Sequence, residues 1–338
     1  MSKSDGPRSE LAGPRQPVIT PTRFPSLSPL LLLLLRQATV VQINATGQPA
    51  IQSPPEVDIR PLTADQLDGA LALSTLMGWN QRLEDWRLLI ELAPSGSFVA
   101  RDHDRVVGTA IAIDYVHCGW IAMMLVAPEY RGRGLGARLL EAAMDAIPTP
   151  LPIRLDATPL GRPLYERHGF RLETPLTRYV RPAGIPAPTP ANDVVHLTPA
   201  DLQEVAGIDA AIFGGIRSRL VEHIHTAGPE YAWRASGTPI QYCLGRTGRL
   251  FDQVGPVAAS TAGTAIALAG AALSNVCGKA VVVDAYDNRE EFTAWLRSSG
   301  FEAQRPLYRM RRPAAPLAEA PAPAVPQTEF AILGPEFG

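Results

Sequence analysis

Apolar and polar residues alternate from Ser97 to Arg101 and again from Val106 to Tyr115, around the polar turn Asp102-His103-Asp104-Arg105. Period-two alternation on both sides of such a turn predicts two paired strands. Before them, Val57 to Leu62 reads as a first strand. Thr63 then caps a helix through about Met77, with Asp65 in its first turn, and a second helix spans roughly Leu83 to Leu92. The apolar run Trp120 to Leu125 predicts a buried fourth strand. Ile153 to Asp156 is a fifth, followed by a short helix ending at Gly169, a left-handed cap, with Phe170 opening an edge strand.

Between the fourth strand and the next helix lies Val126-Ala127-Pro128-Glu129-Tyr130-Arg131-Gly132-Arg133-Gly134-Leu135-Gly136. Glycines at 132, 134 and 136 remove every other Cβ, so successive N–H groups can turn toward an anion while the positive end of the helix dipole stands behind them. No Gly-Lys-Ser/Thr follows, which excludes a nucleoside-triphosphatase loop. The glycine spacing does not match the dinucleotide fingerprint either. What stands is Arg-x-x-Gly-x-Gly, at Arg131, Gly134 and Gly136, after a Val-x-Pro strand end. This resembles the acyl-CoA pyrophosphate loop of the GNAT superfamily of N-acetyltransferases.

A second stretch, Leu155-Asp156-Ala157-Thr158-Pro159-Leu160-Gly161-Arg162-Pro163-Leu164-Tyr165-Glu166-Arg167-His168-Gly169-Phe170, resembles the same superfamily's Leu-Tyr-Glu-Arg/Lys helix ending at Gly-Phe. The resemblance covers about residues 57 to 182. It implies acetyl-CoA as cosubstrate, held by Leu125, Val126, Arg131, Gly132, Arg133, Gly134, Leu135 and Gly136. It also implies that Tyr165 protonates the leaving thiolate, and a hydroxyl with an unperturbed pKa near 10 is a sensible donor to a thiolate formed beside it. Backbone N–H groups around Leu125 and Val126 are expected to polarise the thioester carbonyl. Many members carry a glutamate on the fourth strand as base, and this strand has none. Asp114, His117 and Asp156 are the nearby carboxylate and imidazole candidates, and Asp156 is the one expected to act beside Tyr165. A structural role for each, or an amine that arrives already neutral, stays open. The acceptor pocket implied by the fold falls at Gly78-Trp79-Asn80-Gln81-Arg82, where Trp79 and Asn80 are the candidate substrate-binding residues.

The second half repeats the first. Gly169-Phe170 and Gly300-Phe301 are each followed at the same offset by related segments, Pro175-Leu176-Thr177-Arg178 and Pro306-Leu307-Tyr308-Arg309. Both copies close at Arg-Pro, Arg181-Pro182 and Arg312-Pro313. Leu197-Thr198 with Asp201 mirrors Leu62-Thr63 with Asp65, and Lys279 to Asp284 mirrors Ile153 to Asp156. In place of the glycine loop stands Gly255-Pro256-Val257-Ala258-Ala259-Ser260-Thr261-Ala262-Gly263, and Trp295 or Leu296 stands where Tyr165 should. The fold class expected is α/β (α+β): two tandem GNAT-like domains, each a mixed central sheet flanked by helices. The arrangement resembles a bacterial two-domain group whose C-terminal GNAT-like domain is appended to an active one. The boundaries expected are a disordered extension at 1–55, an acetyltransferase domain at 56–182, a Pro/Ala linker at 183–191, a degenerate domain at 192–313 and a mobile Pro/Ala-rich tail at 314–338. The degenerate domain is expected to wall the acceptor pocket or to form a homodimer face.

Composition adds limits. The 338 residues are 46% hydrophobic, enough for two cores. A net charge of −2 and a pI near 6.3 argue against nucleic acid or an anionic membrane as partner. Arg131, Arg133, Arg138, Arg162 and Arg167 still gather around the proposed phosphate site. Cys118, Cys243 and Cys277 have no metal spacing, so no metal is expected, and they read as reduced thiols of a cytoplasmic protein. Leu30 to Leu35 is far shorter than the roughly 20 apolar residues of a membrane span. Asn44-Ala45-Thr46 fits a glycosylation pattern with nothing else to support secretion. The function expected is transfer of an acyl group to the amine of a small molecule or amino-acid-like acceptor. A protein lysine or N-terminus, and a non-catalytic acyl-CoA sensor, are the alternatives.

Overall fold

Thr63 folds the chain into its first helical turn by a capping box, with its N–H donating to Gln66 Oε1 at 3.2 Å and its hydroxyl to Asp65 at 2.5 Å. Strand β1 (Asp58–Pro61) precedes it, and helices α1 (Leu67–Leu76) and α2 (Leu83–Leu92) follow. Next come β2 (Ser97–Asp102), β3 (Arg105–Asp114), β4 (Gly119–Val126), α3 (Leu135–Asp145), β5 (Ile153–Ala157), α4 (Arg162–Arg167) and β6 (Arg171–Arg181). The structure is a computed structural model that describes residues 57–188, 193–276, 278–314 and 328–338. The expected N-terminal extension, with its leucine run and Asn44, lies outside the described residues, as do Cys277 and the first part of the tail beyond Ala314.

The second half repeats this order: β7 (Val194–His196), α5 (Leu202–Phe213), α6 (Ser218–Ala227), β8 (Trp233–Ala235), β9 (Tyr242–Arg246), β10 (Asp252–Ala259), α7 (Ala262–Ser274), β11 (Val281–Tyr286), α8 (Glu290–Ser298) and β12 (Glu302–Arg312). Equivalent local chemistry recurs with it. Thr198 and Asp201 form the same capping box. Phe301 N–H donates to Leu296 O at 3.1 Å as Phe170 N–H donates to Tyr165 O at 3.1 Å, which makes Leu296 the counterpart of Tyr165. Gly169 and Gly300 close the two helices at φ of +85° and +87°.

The halves do not have separate sheets. All described strands form one sheet in the order β1-β2-β3-β4-β5-β12-β6-β11-β13-β10-β9-β8-β7, where β13 is Thr328–Ile332. β12 of the second half lies between β5 and β6, and β6 lies between β12 and β11. β6 is therefore a central strand, not the edge expected after Phe170, because the second half supplies neighbours on both of its sides. In the β6–β12 ladder Leu176 faces Leu307, Pro175 faces Tyr308 and Thr177 faces Pro306, so the repeated segments meet about a local two-fold. The described residues of both halves make one compact unit.

The chain end differs from the mobile tail expected at 314–338. Thr328–Ile332 pairs antiparallel with both β10 and β11, and Phe330, Ile332, Leu333 and Phe337 are buried. The Pro/Ala bias that suggested mobility belongs to residues 313 to 326, and the sequence then changes to Thr-Glu-Phe-Ala-Ile-Leu, which is strand chemistry.

Candidate active site

Two parallel strands open a V in each half. β4 and β5 pair only at Gly119 with Ile153 and Trp120 with Arg154, then part. From Ile121 onward the β5-side edge of β4 has no strand partner, so its backbone donors are open to whatever enters the gap. A bulge lies in the same place: Thr109 faces Leu125 whereas Ile111 faces Ala122, and Met123 stands at φ +50°. The buried Thr109 hydroxyl fixes the bulge by donating to Met123 O at 2.7 Å.

The gap continues into a cavity of about 820 Å³. Leu125, Val126, Arg131, Gly132, Gly134 and Gly136 line one end of it. Gly132 and Gly134 have φ of +72° and +78°, and a Cβ on either would meet nothing within 4 Å. Their backbone thus faces open space at the start of α3, whose first N–H groups lack intrahelical acceptors. Two of the expected cofactor residues lie elsewhere. Leu135 is buried in the core, because position 135 falls on the inner face of α3. Arg133 is exposed and stacks over the Tyr130 ring at 6.0 Å. Arg131 is held by its Nε donating to Val126 O at 3.0 Å.

An acyl-CoA thioester fits this geometry. The glycine loop offers unobstructed donors for a pyrophosphate, and the β4–β5 gap offers an apolar channel with strand-edge donors for the amide-bearing arm. Gly134→Asp tests the fit. The new side chain enters open space, and a carboxylate at a helix start favours the helix. The left-handed backbone at φ +78° costs a non-glycine residue about 1–2 kcal/mol, so the variant's fold is checked by its melting curve. Beside a bound pyrophosphate the new carboxylate is expected to weaken acetyl-CoA binding by about 2–3 kcal/mol after salt screening. Calorimetry that found unchanged affinity would remove the loop from the site.

Tyr165 projects from α4 into the cavity, nearly buried, with its ring edge-on to Phe170 at 6.0 Å. Burial in apolar surroundings raises its hydroxyl well above the ordinary tyrosine value, so it stays protonated at any physiological pH. Its hydroxyl makes no hydrogen bond among the described residues, which leaves the proton free for a group in the cavity.

Asp156 also lines the cavity, but its carboxylate is fully buried and held in a two-pronged pair by Arg309 of β12, at 2.9 Å from Nε and 2.9 Å from Nη2. A carboxylate so engaged is a poor base, since taking a proton would remove the closest of the charges that compensate the buried guanidinium, Glu329 lying farther off at 3.5 Å. The second half has the reciprocal pair, Arg178 of β6 with Asp284 of β11, at 2.7 Å and 2.7 Å. These are the Arg and Asp of the internal repeat. Each half's arginine binds the other half's aspartate, which is a structural reason for both copies to keep them. The repeat of Asp156 as Asp284, in a half with no phosphate loop, was a sequence signal that this carboxylate serves the fold. Asp114 and His117 do not line the cavity; Asp114 is exposed and accepts from Val116 N–H at 2.7 Å.

Of the expected acceptor residues, Trp79 and Asn80 both line the cavity. The Asn80 side chain is spent on the second half, however. Its Nδ2 donates to Phe251 O at 3.0 Å, and its Oδ1 accepts from the N–H groups of Leu250 and Phe251 at 2.8 and 3.0 Å. Asn80 is thereby a clasp between halves rather than a free ligand. The sequence reading missed the cavity's far wall altogether: Arg178, Arg305 and Leu307 from the exchanged strands, and Pro335 and Glu336 from the chain end.

The equivalent V of the second half is closed. β10 and β11 pair only at Asp252 with Val281 and Gln253 with Val282, then part, and β13 fills the space between them. A Cβ on Gly255 would stand 2.0 Å from Ile332 O, so the intruding strand lies directly against the bulge. The expected loop there has also collapsed. β10 runs to Ala259 and α7 begins at Ala262, capped by the Thr261 hydroxyl, which accepts from Thr264 N–H at 3.1 Å.

Comparison with known proteins agrees with both halves. Residues 93–172 match one model of the Acetyltransferase (GNAT) domain and residues 205–321 match another of the same description. The chain is 33% identical over 105 residues to N-alpha-acetyltransferase 30 of Schizosaccharomyces pombe, covering 28% of this chain and 69% of that protein. It is 31% identical over 111 residues to the uncharacterized N-acetyltransferase YitH of Bacillus subtilis, covering 32% of this chain and only 39% of that protein. Among solved structures, a Pyrococcus horikoshii protein assigned as an acetyltransferase superposes with a TM-score of 0.66 at 22% identity, over 85% of this chain and 98% of that one. A tandem GNAT protein from the clavulanic acid biosynthesis pathway superposes with a TM-score of 0.53 at 16% identity, over 78% and 100%. These two likenesses concern the fold. No helix among the described residues is long and apolar enough to cross a membrane.

Proposed function

The chain belongs to the GNAT acetyltransferase family, and from that premise we propose that it moves an acetyl group from acetyl-CoA to the amine of a small acceptor within the cavity beside β4. The observation that carries this reading is the contrast between the two V-shaped gaps. One is open and meets a glycine loop and a buried Tyr165 whose hydroxyl has no hydrogen bond among the described residues. The other is closed by the chain's own end and has Leu296 at the tyrosine's position. A half retained only for its shape could lose all of these features together, as the second has.

The thioester supplies an activated acyl group, and this chain's residues do the rest. Open backbone donors along β4 between Ile121 and Val126 polarise the carbonyl. Gly132, Gly134 and Gly136 with Arg131 hold the pyrophosphate, and Trp79 lines the acceptor side. The neutral amine forms the C–N bond as the C–S bond breaks; Tyr165 gives its proton to the departing sulfur, and the proton lost by the nitrogen restores Tyr165. Asp156 has no part in these transfers except to hold β5 against β12. A peptide N-terminus is the second reading, favoured by the 33% identity to N-alpha-acetyltransferase 30. The Trp79–Gln81 loop and the Pro335-Glu336 wall of the cavity support the small acceptor instead.

Thiol release from acetyl-CoA, measured against a panel of small amines and short peptides, tests the assignment. Tyr165→Phe is expected to lower kcat by roughly 10²-fold with acetyl-CoA affinity nearly unchanged, since one proton donor and little contact area are lost. Equal rates for the variant and the parent would make Tyr165 a packing residue.

A further inference from the structure

The far wall of the cavity has a charge arrangement that the repeat does not explain. Arg305 of β12 stands directly opposite Arg178 of β6 in the ladder, and both line the cavity. Arg178 is neutralised by Asp284, which also accepts from Gln253 at 3.0 Å. Arg246 takes up both Asp85 and Oε1 of Glu336. That leaves Arg305 with no ion pair or hydrogen bond among the described residues, and its buried Nε has no acceptor. Burial and the facing Arg178 disfavour its charge more than the nearby Asp284 and Glu336 favour it, yet a guanidinium stays protonated in proteins. By the repeat, position 305 corresponds to Thr174, so this arginine lies outside the reciprocal clamp that uses Arg178 and Arg309. Glu336, buried and also on the cavity wall, has its Oε2 free of hydrogen bonds among the described residues.

Arg305 and Glu336 attract each other without forming an ion pair, so a ligand in the cavity can offer the guanidinium an oxyanion and the free carboxylate oxygen an ammonium. We propose that the acceptor is an amine that also carries an oxyanion, with Arg305 binding the oxyanion and Glu336 Oε2 receiving the amine in the cavity that Tyr165 also lines. This rests on the acetyltransferase reading and narrows its substrate class. Both residues come from the second half, one on the exchanged strand and one on the chain end, which gives the catalytically silent half a direct part in specificity.

The test uses the full chain and three ω-amino acids, glycine, β-alanine and 4-aminobutyrate, each beside its neutral amide, with phosphoethanolamine as the phosphate arm. The acids are expected to exceed their amides in kcat/KM by about 10- to 100-fold, the range of a hydrogen-bonded charge pair. Arg305→Met is expected to erase that margin by raising KM for the acids far more than for the amides, and Arg305→Lys to restore part of it. A margin for phosphoethanolamine alone would identify the oxyanion as phosphate. Amides as good as acids, or a variant that affects both alike, would overturn the proposal while leaving acetyl transfer intact. Calorimetric titration of 4-aminobutyrate and phosphoethanolamine into the CoA-saturated protein separates the two readings. Binding that Arg305→Met abolishes, without any thiol release, supports the anion site and fails the enzyme reading. The absence of binding by either compound, together with no thiol release, overturns both.

Discussion

A chain that ends at Gln327 is expected to lose its cooperative fold, although it retains every residue of both family-like domains. The deleted segment buries Phe330, Ile332, Leu333 and Phe337. At about 1.5–3 kcal/mol for each large apolar side chain, these four amount to about 6–12 kcal/mol, comparable to the whole stability of an ordinary protein. Polar partners go as well: Glu336 from Arg246, and the Gly338 carbonyl, which accepts from buried Arg217 at 2.6 Å. Tyr115 and Trp120 of the first half also lose acceptors, at Phe337 O and Pro335 O, 3.1 and 3.2 Å away. Thermal unfolding followed by circular dichroism is the measurement. A cooperative transition within a few degrees of the full-length chain would mean that β13 merely rests on the gap between β10 and β11.

Arg309→Met is the second large effect, and it acts where the halves exchange strands. The substitution leaves the Asp156 carboxylate buried beside a thioether, and removing one partner of a buried pair costs about 3–5 kcal/mol. Arg309 also lies over the Trp120 ring at 5.0 Å, so the loss reaches β4 as well as β5. Urea denaturation is expected to show the deficit, and Asp156→Asn in the same chain to recover much of it by removing the orphaned charge. If Arg309→Met and the parent unfold at the same urea concentration, the reciprocal pairs do not hold the exchanged strands. If Asp156→Asn alone abolishes acetyl transfer in a chain that remains folded, Asp156 is a base after all.

Much of the first half was legible because its signals are local. The Thr63 capping box, the period-two strands around Asp102 to Arg105, the glycine loop and the Gly169 cap each involve residues within a few positions of one another, and each forms where the pattern places it. The repeat was equally readable, since Pro175 to Arg178 and Pro306 to Arg309 preserve spacing and residue type. From these followed the fold class, the expected anion loop and Tyr165 as the expected proton donor.

What the repeat could not say is which copy of a strand pairs with which. β6 and β12 are near-copies with the same alternation, so either satisfies the position beside β5, and local pattern is indifferent to the choice. Only the assembled sheet decides it, by matching Arg309 to Asp156 and Arg178 to Asp284 across the halves. The same holds for the chain end. Eleven residues beyond a Pro/Ala-rich stretch read as part of a mobile tail, until the gap between β10 and β11 offers them two strand edges to satisfy and a core to enter. The sequence by itself determined the elements of the first half, the glycine turn and the short helix that bears Tyr165, because these depend on neighbours in the chain. The tertiary structure decided the partner of Asp156, the use of Asn80 as a clasp, and the presence of Arg305 and Glu336 in the cavity, because those depend on residues more than a hundred positions away.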